Sequence, residues 1–228
     1  MLLRFSPCVL AALLLFGLHL ERASLAAALF ALVAILPLVA LAASAADSWR
    51  ARAIALGAAS LPLAVAATCW GGFSSGNPPE AHLGSLTFLG VGLAALPLGL
   101  VELAGAFGVR RSAVVAGFLL LWSALVSSPF FLPSFLGAQL DWAREAEVAA
   151  WIASVHPFAA ACDAAGGLDG FRDPALYDRA EIGARHAYRY PSSASYAAFL
   201  WGVAASGAAV RFTRDAWRAR RLFPTETP

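Results

Sequence analysis

The sequence contains no lysine: all 16 basic residues are arginine. A P-loop needs a lysine on the nucleotide phosphates, and a Schiff-base site for retinal or pyridoxal phosphate needs a lysine amine. Neither can be built from this chain, so any use of ATP belongs to a partner chain. Charge of either sign is scarce. Only 13% of the 228 residues are charged and 60% are hydrophobic, with a mean hydropathy of +0.71. A soluble domain is about 25% charged and about 45–50% apolar. The composition therefore excludes a water-soluble globule, a disordered tail and a nucleic-acid-binding domain. It describes an integral membrane protein whose first partner is the lipid bilayer. The arginine-only, alanine-rich usage suits a GC-rich bacterial genome, hence a bacterial inner membrane.

Cysteine and histidine chemistry is also thin. Cys8, Cys69 and Cys162 form no CxxC pair, and an odd number gives no disulfide framework. Small buried thiols are the simpler reading, with a single Cys69–Cys162 bridge left open. His19, His82, His156 and His186 are scattered, without a His-x-x-x-His pair on one helix face, and read as interfacial residues or caps. Ser206 lies in the run AASGAAV, which is similar to the serine motif of intramembrane proteases, but no histidine follows on a later helix. No carboxylate pair, Cys–His dyad or nucleophile-bearing glycine loop stands out. Neither an enzyme nor a cofactor is expected.

A crossing helix needs about 20 mostly apolar residues. Six stretches qualify: 2–20, 23–46, 53–73, 82–109, 112–136 and 195–212, the last being the shortest. Pro37, Pro62 and Pro97 interrupt three of them, and the fifth ends in SPFFLPSF. Prolines are tolerable in spans because neighbouring helices and serine hydroxyls re-satisfy freed carbonyls. The first stretch also has the basic start and apolar core of a signal peptide. Its length, and the mere Glu21–Arg22 break before the next stretch, favour an uncleaved helix. The expected fold is all-α: a polytopic membrane helix bundle of about six transmembrane helices, with short interfacial helices in the last outer loop. Residues 1–136 hold helices one to five, 137–194 the outer loop, and 195–228 helix six and a basic cytoplasmic tail.

Arginine placement sets the orientation. One side carries ten arginines against three carboxylates, a net of +7, and the other six arginines against ten carboxylates, a net of −4. Both termini are therefore expected in the cytoplasm. Trp49 and Trp217 fall at the inner interface, and Trp70, Trp142, Trp151, Tyr188, Tyr190, Tyr196 and Trp201 at or near the outer one.

The outer loop shows helix signals of its own. Residues 141–155 are amphipathic, with Val148, Trp151, Ile152 and Val155 on one face and Arg144, Glu145 and Glu147 on the other. Such a helix lies in the interface plane. His156–Pro157 starts a second short helix, which Gly166 and Gly167 end. Asp173–Pro174 repeats the start signal for a third, ended by Gly183. Glu102 is the only ionisable residue well inside a span, about 10 Å from Val109 at 1.5 Å per residue. An intramembrane carboxylate is costly and marks a candidate site. It can equally face the bundle interior or snorkel toward Arg110 and Arg111. Small residues such as Gly90, Gly92, Gly99, Gly105, Gly108, Gly202 and Ser206 favour close helix packing, in a compact bundle or an oligomer.

The last two spans, the intervening loop opening on His156, Pro157 and Phe158, and the basic tail together resemble the permease subunits of type-two ABC exporters. The resemblance implies that VHPFAAACDAAGG forms a partly re-entrant outer hairpin. It implies that AADSWRARA, after span two, is a coupling helix on a cytoplasmic ATPase subunit, with Asp47, Trp49, Arg50 and Arg52 as contacts. It also implies a homodimer or heterodimer. Two other readings stand beside it. Few polar residues line the spans, which suits a non-catalytic scaffold of a larger complex. Glu102 alone suits an ion-coupled carrier.

Overall fold

The computed structural model describes residues 25–43, 80–137, 141–173 and 190–222. Among them the chain forms helices and turns and no strand. The helices are α1 (Leu25–Ala43), α2 (Glu80–Ala106), α3 (Arg111–Gly137), α4 (Trp142–Val155), α5 (Pro157–Ala164) and α6 (Ser193–Leu222), with a 3-10 turn at Gly170–Arg172 before α6. Three segments are long and apolar enough to cross a membrane: Gly84–Ala106, Arg111–Phe131 and Ser193–Arg218. They match the fourth, fifth and sixth expected spans. Where the second is expected, α1 carries a shorter apolar stretch, Ala26–Leu41. The first and third expected spans lie outside the described residues.

Helix ends differ from the sequence expectation for local reasons. α2 stops at Ala106 rather than near Val109. Gly108 adopts φ 75°; the Val109 N–H donates to the Ala104 carbonyl at 3.0 Å and the Gly108 N–H to the Gly105 carbonyl at 3.3 Å. This paired closure satisfies the last carbonyls of a helix and needs a residue tolerant of positive φ. α3 runs through Pro129 to Gly137, close to the expected 112–136. Pro129 has no N–H for the Leu125 carbonyl, and the Ser128 hydroxyl donates to that carbonyl at 2.7 Å. α6, expected to be the shortest span, is the longest helix described, at 30 residues. The arginines, alanines and the Arg211–Asp215 pair (3.7 Å, i,i+4) favour continued helix, so part of the expected tail is helical.

α2 and α6 form the main seam and run parallel. The Trp201 indole N–H donates to the Phe88 carbonyl at 3.1 Å, Gly92 faces Leu200, Gly99 faces Val203 and Ala204, and Glu102 meets Arg211. Partner numbers rise together along both helices. The backbones nearly touch. A Cβ added at Gly99 would lie 2.7 Å from the Ala204 Cα, and one added at Gly207 would lie 2.5 Å from the Gly99 Cα. In lipid, helices associate through such close packing rather than through hydrophobic drive. Of the small residues singled out in the sequence, Gly92 and Gly99 serve the seam. Gly202 has nothing within 4 Å of an added Cβ, and Ser206 is exposed with its hydroxyl on the Gly202 carbonyl.

α1 packs on α2 and α3. Leu29, Leu32 and Leu36 of α1 share an apolar core with Leu86, Leu89 and Leu93 of α2. α1 is antiparallel to α3: the Trp122 indole N–H donates to the Ala34 carbonyl at 3.0 Å, while the Phe30 and Phe130 rings meet edge-on at 5.3 Å. Leu120 and Leu121 of α3 and Phe199 and Phe212 of α6 are exposed, as lipid-facing side chains are.

Replacing Gly99 or Gly207 with leucine should force α2 and α6 apart at a cost of about 1–3 kcal/mol, the range for overpacked cores. Thermal unfolding in detergent should show a lowered midpoint for both. Gly202→Leu, with open space around it, should unfold like the parent chain.

Candidate functional site

Two polar centres sit at opposite ends of the seam. The first gathers Glu102 of α2 with Arg211 and Arg214 of α6. Arg211 Nη1 donates to Glu102 Oε1 at 3.0 Å, and Arg214 Nη2 to Oε2 at 3.4 Å. Glu102 lies four residues before Ala106, about 6 Å at 1.5 Å per residue, so it is nearer the helix end than the sequence suggested. It does snorkel, but toward the continuation of α6, because α6 stays helical past Phe212. Arg111 lines the same cavity of about 270 Å³. Bonds that join an ionised carboxylate to a guanidinium are among the stronger protein hydrogen bonds.

The second centre is built on His156, which links α4 to α5. Its Nδ1 accepts the Phe158 N–H at 3.2 Å, capping α5. Its Nε2 lies 3.3 Å from the Val126 carbonyl. An acceptor at Nδ1 places the proton on Nε2, which donates to Val126. Pro157 takes the first helical position, where its missing N–H costs nothing. Phe158 is fully buried and meets Phe30 at 5.2 Å and Phe171 at 5.1 Å, both edge-on. Every residue of α5 except Asp163 is buried. Asp163 instead accepts the Ser193 N–H at 2.8 Å, capping α6 from outside its own sequence neighbourhood. The Tyr196 hydroxyl donates to the Val155 carbonyl at 3.0 Å.

Burial pushes His156 down from 6.5 to about 4, because an imidazolium would lose its water there. The same cause raises the Cys162 thiol. Cys162 is a free, buried thiol, and Cys69 lies outside the described residues. Among the described residues no three His, Cys, Asp or Glu side chains gather as a metal site.

α4 forms as expected, with Asp141 as its cap accepting the Arg144 N–H at 2.9 Å. One residue of its expected polar face is turned into the protein. Glu145 is buried beside Ala149 and Ile152, while Trp151 is exposed. The packing of α4 on α3 and α5 turns the alanines in and leaves Trp151 outward, as an interfacial tryptophan lies. The proposed coupling residues Asp47, Trp49, Arg50 and Arg52, and the third short helix after Asp173, lie outside the described residues. Between α3, α4 and α6 runs an apolar groove of about 690 Å³ that includes Phe118, Leu125, Tyr196 and Phe199. Comparison with family models, curated proteins and solved structures finds no match.

The Glu102–Arg211 pair should show coupling of about 0.5–3 kcal/mol in a double-mutant cycle of Glu102→Gln and Arg211→Met, read by detergent unfolding. His156 gives a pH signature. Between pH 6.5 and 4 the unfolded chain takes a proton that the folded chain refuses. Its contribution to stability should be constant above pH 6.5 and fall as pH drops toward 4, by up to about 3 kcal/mol. His156→Asn, which keeps a capping oxygen, should flatten that window.

Proposed function

We propose that this chain is the membrane permease subunit of an ABC-type exporter, driven by a separate cytoplasmic ATPase and working as a dimer in a bacterial inner membrane. The observation that carries the reading is the seat of the α4–α5 hairpin. Val126, which accepts from His156, lies 15 residues along α3 from Arg111, about 22 Å at 1.5 Å per residue. A bilayer core is about 30 Å thick. A short capped helix buried at that depth fits a partly re-entrant segment. The parallel course of α2 and α6 fits two spans that cross in the same direction, and the arginine-rich ends fit a cytoplasmic side with both termini there. The groove between α3 and α6 is apolar, which suits a hydrophobic or lipid-like substrate.

A second reading, a scaffold subunit of a larger complex, is favoured by the Glu102 clamp. Two arginines fasten that carboxylate across two spans, and any ion-coupled cycle through it would have to break both pairs.

Purification from native membrane should bring down a P-loop ATPase with this chain, and Arg50→Glu with Arg52→Glu should release it. A complex unchanged by the double reversal would count against the coupling loop, and recovery of non-ATPase partners alone would favour the scaffold.

A further inference from the structure

We propose that the cavity at the arginine-rich end of α2, α3 and α6 binds the phosphate headgroup of an anionic phospholipid. The proposal rests on the membrane reading and not on an ATPase partner. The cavity lining holds three guanidinium groups, Arg111, Arg211 and Arg214, against one carboxylate, Glu102. That is a net of +2. Asp215 lies on the outer flank of Arg211 and is more than half exposed.

The arrangement suits phosphate. Guanidinium forks match phosphate oxygens in shape and charge. Glu102 repels an anion, yet it accepts from Arg211 through Nη1 and from Arg214 through Nη2, one nitrogen of each guanidinium. It thus fixes both forks while leaving donors on each. Arg214 Nε is buried and, among the described residues, has no hydrogen-bond partner. A buried donor left in that state is costly. Arg111 opens the 27-residue α3, so the positive end of that helix dipole lies at the same rim.

The position selects a lipid over a free anion. The cavity lies where the apolar windows of α2 and α3 meet their connection, and Leu98 and Val101 form its wall. Phosphate would sit among the arginines, with glycerol and the first acyl carbons against the leucine and valine. Basic pockets between spans on the cytoplasmic side meet a leaflet rich in anionic lipid.

The test uses the full chain, extracted in mild detergent, delipidated and examined by native mass spectrometry. Phosphatidylglycerol, phosphatidylcholine with the same acyl chains, and inorganic phosphate are offered in turn. Phosphatidylglycerol should be retained about tenfold more than phosphatidylcholine, and inorganic phosphate should not displace it. The Arg111→Gln, Arg214→Gln double variant should lose about tenfold or more of that retention, in line with about one decade or less per arginine near a membrane surface. Gly105→Leu supplies a second arm. A Cβ there meets only Arg214 Nη1, at 3.9 Å, so leucine fills the cavity while keeping every charge, and it should lose retention equally. Equal retention of the two lipids, unchanged retention in Gly105→Leu, or displacement by inorganic phosphate would each overturn the lipid site. A chain that stays soluble in buffer without detergent would instead sink the membrane reading beneath it.

Discussion

Put a side chain at Gly99 or Gly207, and α2 can no longer lie backbone to backbone against α6. That single steric fact governs the register of the whole seam. Lipid tails are as apolar as leucine, so two spans gain little from hiding leucines on each other and much from dense contact between small residues. Gly99 against Val203 and Ala204, and Gly207 against Gly99, supply that contact. Once it is made, helical rise does the rest. Less than a turn beyond Gly99, Glu102 arrives at the level of Arg211, and Arg214 follows on the same face of α6. The ion pairs are consequences of the glycine contact. They lock a register that sterics have already chosen.

The other end of α6 is held by different means. Asp163 caps its first turn, Tyr196 donates to Val155, and Trp201 donates to Phe88. Helix termini leave orphan amides, which cannot be abandoned in a place poor in water. A carboxylate from α5 meets that need, but only because α5 is buried deep enough to present it. His156 is what permits the depth. One neutral imidazole caps α5 and joins it to α3, in a pocket too dry for a charge. Polar side chains thus gather at the two ends of the seam, and glycine and leucine fill the middle.

Much of this was legible in the sequence. Apolar runs gave the three helices long and apolar enough to cross a membrane, Asp141 and His156–Pro157 gave the starts of α4 and α5, and Gly166–Gly167 gave the end of α5. The serine rescue of a proline-freed carbonyl was legible as a principle and appears at Ser128. The partners of Glu102 were not. A hydropathy window ends α6 near Phe212, because arginine reads as the end of a span. Arginine is nonetheless a good helix former, and α6 continues. With the helix extended, depth matching from the glycine contact would have paired position 102 with 211. Glu145 was misassigned for another reason: α4 packs inward by its alanines, and that face carries Glu145 with it.

The placement of charge also limits what the described faces can accommodate. Between the Glu102 cluster and His156, the described faces of α2, α3 and α6 offer mostly leucine, phenylalanine and glycine, and the Trp122, Tyr196 and Trp201 donors are already bonded to backbone carbonyls. A polar solute crossing there would lose water and find few donors in return, at several kcal/mol for each unsatisfied group. An apolar molecule entering the groove beside Phe118 and Phe199 meets no such penalty. Arginines at one end and a dry aromatic cluster at the other leave a mainly hydrocarbon surface along the described faces. On the proposed permease reading this favours amphiphiles, whose charged head would rest among arginines and whose chains would remain in the groove or the surrounding lipid.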